Sequence, residues 1–386
     1  LRWSNMVKIA LGQGKMIRRP IAGILHIVVY VGFVIINIEV LEIVIDGLFG
    51  THRIFSVIGP FYGVLIGTFE MLAALVFISV IVFWFRRNIV NVQRFMKSEM
   101  KGWPKLDGNL ILYFEIVLMA LFITMNATDV EFQSSNSGNI ISQFFAPMFE
   151  GTNVTLIERI AWWMHIVGIL IFLNYLYYSK HLHILLAFPN TYYGSVNPKG
   201  QLDNLEAVTK EVKLMMDPDA NPYASVDEDA VAPDKFGASD VQDLNWIQLL
   251  NAYTCTECGR CTSECPANQT GKKLSPRKIM MDTRDRLVEV GNNIDANNGE
   301  FKLDGKQLLG DYITNEELWA CTSCNACVEA CPISIDPLSI ILEMRRYLVM
   351  EQSAAPMELN NMMSNIENNG APWPYNQMDR LNWKNN

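Results

Sequence analysis

The sequence predicts an all-α protein: a transmembrane helical bundle, then an α-helical domain holding two iron–sulfur clusters. Three observations predict it. Four long apolar stretches all lie before residue 190, all five histidines lie before residue 184, and all eight cysteines lie between Cys255 and Cys331. Cysteines so confined cannot staple a secreted disulfide scaffold. The charge is as lopsided. Lys and Arg number 31 against 40 Asp and Glu, a net −9. Residues 1–190 hold 14 bases and 11 acids, and residues 191–386 hold 17 and 29, so the halves carry +3 and −12. An acidic second half argues against nucleic-acid binding, which needs a basic surface.

A bilayer core takes about 20 apolar residues per helix. The sequence offers spans at 20–48, 57–85, 110–125 and 161–188 within a membrane domain of residues 1–190. The chain opens on Leu1 rather than Met and shows no signal-peptide pattern, so a preceding segment, a further span included, is compatible with it. Bases concentrate in the lead-in (Arg2, Lys8, Lys15, Arg18, Arg19) and in the loop after span two (Arg86, Arg87, Arg94, Lys97, Lys101, Lys105). The bias of Lys and Arg toward the inner face places both in the cytoplasm. Span four then delivers the acidic half to the same side.

Histidine inside a membrane is costly and usually functional. On a continuous helix, His165 and His183, 18 residues apart, face one way at a separation of about 27 Å. His26 matches His183 in depth, and His52 matches His165. The pattern predicts one or two b-type haems, His26 with His183 and His52 with His165, because imidazole is an axial ligand of haem iron. The alternative is interfacial histidines satisfied by water or headgroups, and it suits His52 best, at a span end beside Arg53. His181 points to another face and reads as a surface residue. Glu39, Glu42 and Asp46 share one face of span one in its outer half. They predict a proton path or quinone site, against the alternative of an interfacial position. Glu70 and Glu115 are further intramembrane acids. Trp162, Trp163, Tyr175, Tyr177 and Tyr178 read as interfacial belts.

Two C-x2-C-x2-C-x3-C-P runs follow, Cys255 to Pro266 and Cys321 to Pro332. Three close thiolates wrap one cubane, and the fourth reaches the other. Cluster I is therefore expected on Cys255, Cys258, Cys261 and Cys331. Cluster II is expected on Cys321, Cys324, Cys327 and Cys265. Zinc sites use separated C-x2-C pairs, which this spacing does not offer. Pro276–Val290 and Pro337–Glu351 read as helices, with Ile279, Met280, Leu287, Ile340, Ile341, Met344 and Leu348 as core. Residues 191–240 read as a linker or partner surface, 241–352 as the cluster domain, and 353–386 as a polar extended arm. Arg260, between cluster ligands, either raises a cluster potential by its charge or pairs with an acid. No nucleotide-binding or nucleophile motif appears.

The His26-x5-Gly32-Phe33 and His165…Ser179-Lys-His-Leu-His183 patterns resemble the dihaem γ subunit of respiratory nitrate reductase. The run from Leu249 through Cys255-Thr-Glu-Cys-Gly-Arg-Cys to Gly271-Lys-Lys-Leu-Ser-Pro-Arg resembles the heterodisulfide-reductase-like membrane Fe–S oxidoreductases. Together the two resemblances span about residues 15–350. The nitrate reductase family carries a second span-one histidine ten residues after the first, where this chain has Ile36. Longer relatives continue into cysteine-rich CCG domains, and no cysteine follows Cys331. The resemblance thus implies a docking CCG-type subunit or flavoprotein. It implies a subunit of a quinone-linked oxidoreductase in the bacterial inner membrane, joining menaquinone, haem b and two [4Fe–4S] clusters. A membrane-anchored redox sensor without quinone turnover is the alternative.

Overall fold

The computed structural model describes residues 1–135, 137–198, 200–217 and 235–384. Part of the expected linker, residues 218–234, lies outside the described residues. Among the described residues there is no β-strand. Four helices are long and apolar enough to cross a membrane.

The first two are α1 (Pro20–Phe49) and α2 (Pro60–Asn88). α3 (Trp103–Thr128) starts seven residues before the expected third span. α4 (Val154–Tyr175) begins seven residues before the expected fourth. α1, α2 and α3 each open on proline at the first or second position. There the missing N–H costs nothing. The bundle has an apolar core, with Ile66, Phe69, Ala73 and Phe122 fully buried, beside buried polar groups such as Glu70 and Asn126. α1 and α2 meet at Gly32, where an added Cβ would lie 2.4 Å from Val76 Cγ2.

The continuous fourth span is corrected. α4 ends at Tyr175, Ser179 is extended (φ −107°, ψ 148°), and α5 (His183–Tyr193) starts anew. The cause is Asp107 of α3, 2 % exposed. Its carboxylate accepts from Tyr175 Oη at 2.5 Å, Ser179 Oγ at 2.7 Å and the Lys180 N–H at 3.2 Å. Three donors to one buried carboxylate outweigh the helical hydrogen bonds given up at the break.

After α6 (Glu206–Met216) the chain builds a second core. It uses α7 (Trp246–Thr254), α8 (Pro276–Ala296) and α9 (Pro337–Met350). Most expected core residues of α8 and α9 are buried: Ile279, Met280, Ile340, Ile341, Met344 and Leu348 are each at most 1 % exposed, while Leu287 is only partly buried against them. Ala238 is also fully buried, so this core begins inside the segment read as linker. Arg286 of α8 is buried and bridges Asp240 at 2.7 Å and Asp304 at 2.5 Å. The polar tail is not an extended arm: Met357–Asn369 forms α10, stopped by Gly370 in the left-handed region (φ 66°). No proline or glycine interrupts that stretch, so helix propensity prevails.

Candidate redox centres

The two cysteine runs fold alike. Glu257 (φ 56°) and Ser323 (φ 54°) hold equivalent left-handed positions before the second cysteine of each run. Gly259 (φ 70°) and Asn325 (φ 64°) follow it, each opening a one-turn helix, Arg260–Glu264 and Ala326–Ala330. The second run thus repeats the first with Asn replacing Gly, the residue that best tolerates left-handed backbone after glycine. Both short helices end on a Cys-Pro step.

The runs exchange their last cysteines. One cavity is lined by Cys255, Cys258, Cys261 and, from the other run, Cys331. Cys265 in turn lies within electrostatic range of Cys321 and Cys327. All eight thiols are free of disulfides. Burial pushes the Cys255 thiol up to about 12 and the Cys331 thiol up to about 11. Such groups stay protonated at neutral pH unless a metal takes the proton's place. Four thiols on one cavity are the donor set that a [4Fe–4S] cluster takes. Cys324 is the one exposed cysteine of the eight, so the second site reaches the surface at that ligand position.

Three histidines, His26, His181 and His183, cluster together. The His26 and His183 ring centroids lie 6.4 Å apart. Two imidazoles bound to one metal at about 2 Å per bond would sit at roughly this separation. His183 Nδ1 faces the Lys180 carbonyl at 3.1 Å, the arrangement in which a metal-binding histidine would offer Nε2. His26 Nδ1 is buried with no hydrogen-bond partner. His181 packs edge-on against His183 at 5.5 Å and against Phe172 at 5.3 Å, so it is not the surface residue expected. The pair His26 and His183 is therefore brought together, although not by the continuous helix that the spacing suggests.

The other pair is not. No ring contact joins His52 to His165 among the described residues. His52 Nε2 meets Asp129 at 3.2 Å and its Nδ1 meets Glu131 at 3.4 Å. His165 is buried, with Nδ1 on the Leu118 carbonyl at 3.0 Å and Phe122 at 6.0 Å. Two carboxylates compete for His52, both from the acidic loop after α3.

The acids of α1 separate into two kinds. Asp46 is structural: it accepts from Thr51 Oγ1 and from the Arg53 and Ile54 N–H groups, closing the loop after α1. Glu42 accepts from the Phe55 N–H at 2.8 Å and Tyr62 Oη at 2.9 Å. Glu39 is 2 % exposed, and its Oε2 has no hydrogen-bond partner. Arg53 stands among them, donating to Asp129 at 2.9 Å and Asn126 at 2.9 Å. Glu70 completes the network through Asn126 and the Ile141 N–H. Sequence reasoning misses Arg53 as its centre.

A junction joins bundle and cluster domain. Lys180, between the histidines and the α4 break, pairs with Glu257 in the loop between Cys255 and Cys258. Glu257 is held in turn by Arg284 at 2.9 Å. Arg277 donates to the Arg94 carbonyl at 2.6 Å and to Glu99 at 2.7 Å. Arg260 pairs with no acid among the described residues. It donates to the Lys15 and Met16 carbonyls at 3.3 and 3.2 Å, and its charge reaches Cys258, Cys331 and His26.

The fold and these cysteine loops define an iron–sulfur electron-transfer protein with four membrane-length helices. Residues 254–335 match the 4Fe-4S dicluster domain. The chain is 29% identical to a probable iron-sulfur-binding oxidoreductase, FadF, of Bacillus subtilis, over 99% of this chain and 54% of that protein. It is 27% identical to the EtfAB:quinone oxidoreductase of Syntrophomonas wolfei, over 99% of this chain and 53% of that one. One component of the CoB-CoM heterodisulfide reductase of Methanosarcina acetivorans is 34% identical over 28% of this chain and 52% of its own. The chain therefore resembles the heterodisulfide-reductase-like Fe–S oxidoreductases, and it spans about half the length of the two relatives it matches end to end. No solved structure matches.

Proposed function

We propose that the protein carries electrons across a bilayer between menaquinone and a cytoplasmic redox partner, through haem b and two [4Fe–4S] clusters. One observation carries the reading. Lys180 links the His26–His183 pair to the first cysteine run: its carbonyl faces His183 and its ammonium pairs with Glu257 of the Cys255–Cys258 loop.

In this reading Cys255, Cys258, Cys261 and Cys331 hold cluster I, and Cys321, Cys324, Cys327 and Cys265 hold cluster II. His26 and His183 hold the haem, which supplies a one-electron carrier inside the low-dielectric bundle. His52 leaves the ligand set, because Asp129 and Glu131 occupy its nitrogens. The order haem, cluster I, cluster II is supported by the Lys180 link from His183 to the Cys255–Cys258 loop and by Cys324 as the exposed cysteine of the second run. A CCG-type protein or flavoprotein docks there. Glu39, with its unpaired buried oxygen beside Arg53, is the group for a quinone headgroup or its proton. The lead-in and the loop after α2, both basic, both touch the cluster domain, which supports a cytoplasmic position for it in a bacterial inner membrane.

The test is a dithionite-reduced minus oxidised spectrum of the purified full chain. A b-type α-band that a menaquinol analogue also develops supports the reading. Absence of the band removes the haem, and a band unresponsive to menaquinol removes the quinone.

A further inference from the structure

Between the lead-in and the cluster domain lies a cavity of about 370 Å³, whose charged walls are Arg18, Arg19, Arg260, Glu264 and Glu329. Glu329 pairs with Arg18 at 2.6 Å and Glu264 with Arg19 at 2.8 Å. Arg260 is 5 % exposed and forms no ion pair among the described residues. Arg94 adds a further guanidinium within electrostatic range of Arg19 and Arg260. Its Nε is buried without a hydrogen-bond partner. Burial and these positive neighbours pull its pKa down to about 10. Cations packed together with too few acids repel one another, and an anion seated among them relieves the cost.

Two of the arginines tie the cavity to the histidine pair, although neither histidine lines it. Arg19 is the N-cap of α1, and His26 follows seven residues later. That is two turns, about 10 Å along the axis, on nearly the same face. Arg260 is the charge of the cluster domain that reaches His26. A b-type haem carries two propionate carboxylates on one edge, and forked guanidiniums are the side chains best matched to carboxylates. Cluster I thiolates account for part of the charge on Arg94 and Arg260, which face Cys258. Arg18 and Arg19 line the cavity instead.

We propose that the cavity of Arg18, Arg19 and Arg260 receives the propionates of the haem held by His26 and His183. The inference rests on the haem reading above. It gives the basic lead-in a second role besides topology, tying haem, membrane domain and cluster domain at one point.

The experiment uses the full chain in detergent, with resonance Raman of the propionate bending mode and the rate of haem transfer to apomyoglobin. The double variant Arg18→Gln/Arg19→Gln should shift the mode and release haem about tenfold faster, the scale of one charge-assisted hydrogen bond. Arg19→Lys, which keeps the charge but loses the fork, should shift the mode with slower release than the double variant. Unchanged cluster EPR signals certify the fold. If the double variant fails to fold, Arg19→Lys alone decides by its Raman mode. Bound haem with an unmoved mode overturns the proposal and leaves the haem reading standing. Altered cluster signals with an unmoved mode assign the arginines to cluster I and overturn it equally. No haem in the wild-type protein ends both.

Discussion

Lys180 shows how much one side chain can join. Its N–H answers Asp107, its carbonyl faces His183 and its ammonium meets Glu257. None of this is visible in the spacing of residues, because every partner except His183 is distant in sequence. The cysteine ligands are the opposite case: their loops are written in consecutive residues, and one cavity gathers the four thiols expected there. The histidines fall between. His26 and His183 meet although the continuous helix that suggests their pairing is broken, and spacing alone overlooks Asp129 and Glu131 beside His52. Accordingly, His183→Ala should abolish a b-type α-band, while His52→Ala should leave haem per protein unchanged in a pyridine haemochrome assay.

The same loop gives a pH dependence. The Asp129 hydrogen bond raises the His52 pKa, against a smaller opposing effect of burial. Burial alone would raise Asp129, but His52 and Arg53 outweigh it and hold the carboxyl below its usual range. Stability from Asp129 is present above its unfolded pKa of about 3.9 and lost as pH falls through the lower folded value. Stability from His52 is present below about 6.5 and lost as pH rises through the higher folded value. The pair should therefore contribute most between about pH 4 and 6.5. His52 is partly exposed, so the effect should be no more than about 1 kcal/mol. The melting difference between wild type and Asp129→Asn should be largest in that window and shrink, without vanishing, at higher pH, because the Arg53 contact persists there.

At the scale of elements, the long apolar helices are legible because length and hydropathy suffice. Their starts are set by Pro60 and Pro104, which the apolar pattern passes over. The break after α4 is not legible, since Ser179-Lys180 signals it only weakly and Asp107 lies on another helix. The cluster domain depends on an equally remote contact at Gly237. It has φ 75°, and an added Cβ would lie 2.2 Å from the Glu343 carbonyl of α9. Gly237→Ala should cost roughly 1–3 kcal/mol, combining left-handed strain with a backbone clash. Denaturant unfolding followed by cluster absorbance would show it as a lowered midpoint.

Across the whole molecule, two hydrophobic cores meet at a polar junction rich in arginine. A bundle alone or a ferredoxin alone needs no such seam, whereas a redox chain needs its centres held at fixed spacing. The exchanged cysteines make the cluster domain one unit. Cys265→Ser should therefore weaken the EPR signal of cluster II while cluster I, which shares its run, persists.

The central claim is that haem and clusters form one conductive path. Flash photoreduction of the purified full chain by a soluble photoreductant tests it most directly, with the haem α-band and cluster bleaching followed together. The account predicts cluster bleaching first, then α-band growth at the expense of the clusters, with that second phase lost in His183→Ala. Clusters that stay reduced beside an oxidised haem throughout would contradict it.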